Sequence, residues 1–132
     1  MKYIYPAVFT PEADGGYLVD FPDIPNCFTD GDDLADAFEN AEDALALKLW
    51  YMEEHGETIA PPSVPASLEV ADGASVALVK ADTIAVRKLN DTRAVRKNIT
   101  LPGWLDAVAK EHHINFSQLL QNAIRRECGI EA

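Results

Sequence analysis

Arg96, Asn98 and Thr100 stand at every second position of the run Val95–Leu101, and their side chains carry hydrogen-bond donors and acceptors. Side chains alternate along a strand, so these three share one face while Val95, Ile99 and Leu101 share the other. A guanidinium can bond a guanine edge bidentately and a carboxamide an adenine edge, so the polar face suits reading bases. Lys97 departs from this division, falling on the face that should be apolar. The plainer alternative is an edge strand with its polar residues in solvent.

Other chemistry finds less support. Asp20, Asp23, Asp30, Asp32 and Asp33 could in principle supply the oxygen ligands of a two-metal nuclease. However, Asp20 precedes an apolar Phe21, Asp23 lies in a Pro-bounded turn, and the other three read as turn and cap residues. His112 and His113 are adjacent and cannot share a helix face, and a helix C-terminus is reason enough for them. Cys27 has an apolar neighbour and no nearby His, so it reads as a small buried residue. Trp50 and Trp104 read as packing residues. No catalytic group, metal site or cofactor is expected.

The elements around Arg96 explain how it would be positioned. Pro102 lacks an N–H, so it closes the strand and opens a helix. That helix is predicted over Gly103–His112, with Leu105, Val108, Ala109 and His112 on one stripe. After a turn at His113–Phe116, Ser117 is the expected N-cap of a second helix carrying Leu120, Ala123, Ile124 and Cys128, and Gly129 stops it. Some forty residues so arranged cannot bury a core alone, and a lone strand leaves its backbone unpaired, so a second copy is needed.

This tail resembles the ribbon-helix-helix family, in which two copies pair their strands and insert the ribbon into the DNA major groove. The resemblance implies that Arg96, Asn98 and Thr100 contact bases and that Lys97, Ser117 and Gln118 contact phosphate, the last two at a helix N-terminus. A helix-turn-helix is the nearest competitor. Its second helix should carry base-reading residues near its start, yet here the basic residues, Arg125 and Arg126, come late.

Charge separates this tail from the rest. Residues 1–94 hold 18 acidic and 6 basic residues, net −12, whereas residues 95–132 hold 4 and 5, net +1. An acidic protein that binds DNA must concentrate its cations where phosphate lies, and self-association would offset repulsion from the body. No apolar run approaches a membrane span and no signal-peptide core follows Met1, so a cytoplasmic location without membrane attachment is expected. Cys27 and Cys128 fall in different regions, which gives little support to a disulfide.

The acidic body reads as a hairpin from Lys2–Phe9 to Tyr17–Phe21 through Asp14-Gly-Gly16, then a third extended piece at Asn26–Thr29. A long helix follows, with Leu34, Phe38, Ala41, Leu45, Leu49 and Met52 on one stripe and Asp33, Asp36, Asn40 and Asp43 on another face. A Pro-rich loop leads to a strand at Ala74–Ala81, apolar enough to be buried on both sides. The expected organisation is a body over residues 1–81, a linker over 82–94 with at most one helical turn, and the dimerising unit over 95–132.

Tyr5-Pro-Ala-Val-Phe9, Gly15-Gly-Tyr17, Phe21-Pro-Asp-Ile-Pro25, Cys27-Phe-Thr29 and the Ala41-Glu-Asp-Ala-Leu45 helix together resemble the HicB-type antitoxins. The resemblance implies an α+β fold: an N-terminal antiparallel sheet with one long helix, similar to a degenerate ribonuclease H fold, plus the C-terminal ribbon-helix-helix. It also implies a non-enzymatic protein that sequesters a HicA-type RNA-cleaving toxin and represses their operon by binding operator DNA. A toxin that cleaves RNA needs a cationic surface, so Asp33, Asp36 and Asp43 become candidate toxin contacts, although acidic helix faces are commonly just solvated. At least a homodimer through residues 95–132 is expected, with a tetramer or higher assembly open. A free-standing repressor and a metal-dependent nuclease remain the alternatives.

Overall fold

Alternation of large apolar residues in the first strand sets the architecture. In β1 (Lys2–Pro11), Tyr5, Ala7 and Phe9 are buried on one face, and β2 (Tyr17–Asp20) pairs antiparallel with Phe9 opposite Val19. The connection is closed by Glu12 N–H donating to Gly16 O (2.8 Å), and it turns through Gly15 at φ +91°, a conformation that favours glycine. The computed structural model describes residues 1–130. They fall into two compact units, Met1–Arg93 and the residues from Ala94 onward.

In the first unit, β3 (Phe28–Gly31) and β4 (Ser75–Asp82) complete an antiparallel sheet of order β3-β2-β1-β4. The long helix α1 (Leu34–Glu54) covers one face, burying Ala37, Ala41, Leu45, Leu49 and Met52 against Tyr5, Phe9, Val19 and Val79. Gly31 is required where β3 passes the start of α1, because a Cβ there would stand 2.3 Å from the Ala37 nitrogen. Leu34, expected on the buried stripe, is instead half exposed.

Asp33 caps α1 by accepting from Asp36 N–H (2.8 Å), and the Asp36 carboxylate accepts from Asp32 N–H (2.9 Å). At the other end Gly56, at φ +62°, lets Gly56 and Glu57 N–H bond back to Glu53 O and Met52 O. The Pro-rich loop is tied down by Asp23, which accepts from Ser63 N–H (2.9 Å) and its hydroxyl, and by Tyr5 Oη donating to Ala60 O.

Two expectations for this unit change. β4 is an edge strand rather than a central one: Val79 and Ala81 are buried, but Leu78 on its other face is 59% exposed. Its apolar composition reflects an uncovered patch of sheet, not burial on both sides. The stretch after it is a two-turn helix, α2 (Thr83–Asn90), started by Asp82 accepting from Ile84 N–H (3.0 Å). α2 is fastened to α1 through Glu53, which accepts from Tyr3 Oη (2.7 Å) and Arg87 Nη2 (3.0 Å) and lies 3.1 Å from the Thr83 hydroxyl.

The second unit holds α3 (Gly103–Glu111) and α4 (Phe116–Glu127). The expected strand at Val95–Leu101 is not formed. Residues 91–102 have no regular secondary structure, because a strand is defined by its partner and none lies beside this segment among the described residues. The cap of α4 is Asn115, not Ser117: Asn115 Oδ1 accepts from Gln118 N–H (3.0 Å). The chain turns at His113 (φ +53°), which starts the helix earlier than the sequence pattern indicates. Gly129 ends α4 at φ +65°, with Ile130 N–H donating to Arg125 O (2.8 Å).

Candidate nucleic-acid and partner interfaces

The 95–101 segment, without a partner strand, keeps only part of the expected division of faces: Val95, expected on the apolar side, is 69% exposed and lies off the groove that Ile99 and Leu101 line. Ile99 and Leu101 line an open apolar groove of about 500 Å³ with Leu105, Val108, Leu119 and Leu120, while Asn98 and Thr100, which alternate with them in sequence, are exposed and off the groove. Arg96 and Lys97 are also exposed. The stripe of α3 predicted from spacing, Leu105, Val108, Ala109 and His112, lines this same groove.

This unit has no interior of its own. No residue of α3 or α4 is buried, and their apolar side chains line an open groove. Trp104, expected to pack, is 70% exposed. His112 caps α3, its Nδ1 facing Val108 O at 3.0 Å as a donor must.

At the start of α4 the two side chains assigned to phosphate are engaged within the helix. Ser117 Oγ accepts from Gln121 Nε2 (3.2 Å), and Gln118 Nε2 donates to Asn122 Oδ1 (3.0 Å). A phosphate there would have to displace these exposed, exchangeable bonds.

On the body, the three carboxylates assigned to a partner divide. Asp33 and Asp36 serve the helix start, whereas Asp43 is exposed beside Glu42 in a groove of about 680 Å³ between α1, α2 and the β1–β4 edge. Leu89 of α2, 82% exposed, lies on the same groove. Glu42 and Leu89 were missed by sequence reasoning, since the two-turn helix that brings Leu89 there was read as a connector.

The remaining candidates for chemistry are dispersed. Among the described residues, no three His, Cys, Asp or Glu side chains converge as metal ligands. Cys27 is buried, and burial pushes its thiol up to about 11, which leaves little thiolate at neutral pH. Among the described residues, no helix is long and apolar enough to cross a membrane.

A helix-covered antiparallel sheet followed by a small two-helix unit defines an α+β protein. The family model described as "HicB_like antitoxin of bacterial toxin-antitoxin system" matches residues 5–124, and the chain belongs to that family. Over 59 residues it is 44% identical to Antitoxin HicB of Escherichia coli (strain K12), a stretch that covers 45% of this chain and 43% of that protein. The chain thus matches less than half the length of that relative.

A chain of the toxin-antitoxin complex from Streptococcus pneumoniae is similar in fold, with TM-score 0.61 at 24% identity over 96% of this chain and 99% of that one. A chain of the HicA3 and HicB3 toxin-antitoxin complex gives TM-score 0.50 at 30% identity over 61% of this chain and 99% of that one.

Proposed function

We propose that this protein is a non-enzymatic antitoxin of a type II toxin-antitoxin system, acting in the cytoplasm without a cofactor. Its body neutralises a HicA-type RNA-cleaving toxin, and its tail represses the shared operon by binding operator DNA. Family membership supports the first role, together with the similarity to chains found in toxin-antitoxin complexes. Asp43 and Glu42 face the toxin, because a surface that binds RNA phosphates is cationic and complementary charge steers encounter.

The observation that carries the second role is the open apolar groove lined by residues between Ile99 and Ala123. An apolar groove edged by an extended segment with Ile99 and Leu101 inward and Asn98 and Thr100 outward is half of a two-chain unit. A second copy closes the groove and pairs the two 95–101 segments into a ribbon, so Arg96, Asn98 and Thr100 appear twice on one face and read a two-fold site. Lys97, Ser117 and Gln118 hold flanking phosphate.

Co-purification with the product of the neighbouring reading frame tests the antitoxin role. A small basic partner is expected, retained less rapidly by Asp43→Lys at low salt. Recovery of the chain alone would leave a free-standing repressor. On operator DNA, Arg96→Ala and Asn98→Ala should each cost roughly 1–3 kcal/mol per contact and relax base discrimination, with a smaller effect on scrambled duplex.

A further inference from the structure

The cations of this acidic chain are not spread evenly. Residues 87–97 hold five of its 11 Lys and Arg, at positions 87, 88, 93, 96 and 97, against the single carboxylate of Asp91. Arg87 is committed to Glu53 and Glu54 on α1. Arg93 is different: it is fully exposed, and its guanidinium grips Asp91 as a fork, Nε to Oδ1 at 2.9 Å and Nη2 to Oδ2 at 3.1 Å. It belongs to the stretch from Asp91 to Pro102 that has no regular secondary structure.

We propose that Arg93 is a further DNA-backbone contact, held on Asp91 in the free protein and transferred to a phosphodiester when the tail binds its operator. The fork that accepts a carboxylate bidentately accepts phosphate oxygens in the same geometry. An exposed ion pair contributes little to stability, so exchanging one anion for another meets little resistance. Only two residues separate Arg93 from Arg96, and a chain advances at most about 3.6 Å per residue, so the two Cα atoms lie within about 11 Å. The major groove is about 12 Å wide with phosphates along both rims, which keeps Arg93 in reach of a rim whenever Arg96 is in the groove. A cationic toxin would be repelled by this segment, which favours a polyanion as its occupant.

The inference rests on the operator-binding reading, and fluorescence titration of the full chain separates the two. The probes are the duplex from upstream of its own reading frame and a scrambled duplex, over a salt series. Arg93→Ala should lower the slope of log affinity against log salt by about 0.9 per lost contact, about 1.8 for two chains, and weaken both duplexes by a similar factor. Asp91→Asn should tighten both more than the charge-matched Glu69→Gln, because only the former frees the fork. An unchanged slope for Arg93→Ala, with the parent still bound to the operator, overturns this proposal alone. Asp91→Asn equal to Glu69→Gln overturns the held-fork step. No binding by the parent at any salt overturns the operator reading and this proposal with it.

Discussion

Leu119→Ala is the substitution that most directly probes the proposed closure of the C-terminal groove by a second copy. Leu119 lines the apolar groove and is 53% exposed in the single chain. Full burial of a leucine side chain contributes about 2 kcal/mol, so covering its exposed half contributes about 1 kcal/mol per copy. Each dimer contains two copies, and the loss is therefore about 2 kcal/mol per dimer, or about a 30-fold weaker dimer constant. A cavity left by incomplete collapse would add to this. Leu18→Ala is the matched control, because Leu18 on β2 is equally exposed, at 50%, but lies on the body. Sedimentation equilibrium of the intact chain over a concentration series gives both constants. Dimer constants that shift equally for the two variants, or a parent that stays monomeric at high concentration, would refute the two-chain core.

In the native protein one thiol should alkylate rapidly at pH 8, the exposed Cys128, while Cys27 reacts only on unfolding; mass spectrometry of the labelled chain checks this. Burial, then the hydrogen bond to Glu53, pushes the Tyr3 phenol up to about 12. A raised value means stability that is complete below the unfolded value of about 10 and lost as pH rises toward 12. Urea midpoints should thus fall over that window, and fall less in Tyr3→Phe, where the remaining loss belongs to Tyr5. Asn115→Ala should lower the thermal stability of the tail by about 1 kcal/mol by removing the α4 cap, whereas Ser117→Ala, which loses only a bond to Gln121, should change it little.

Much of the body was legible because its signals are local. The spacing of Ala41, Leu45, Leu49 and Met52 reports the buried stripe of α1 directly, and Gly15-Gly16 marks the first hairpin. The edge position of β4 was not legible, since composition does not encode strand order and Leu78 reads the same whether covered or bare. Helix α2 was hidden by its mixed charge, and the attachment of Arg87 to α1 depends on Glu53, 34 residues earlier. Asp33 was legible as a cap residue and accepts from Asp36 N–H, whereas Asp36, read only as part of an acidic face, also bonds the Asp32 N–H at the helix start. In the tail, the alternation of Asn98, Ile99, Thr100 and Leu101 survives in the single chain, whereas strand pairing, a property of two chains, does not.

Silencing a toxin is the role from which the others follow. The direct measurement is RNA cleavage by the purified product of the neighbouring reading frame, titrated with this chain at fixed toxin concentration. Cleavage should fall in proportion to added chain and cease at a fixed stoichiometric ratio. Cleavage that continues undiminished in several-fold excess of the folded chain would contradict that role.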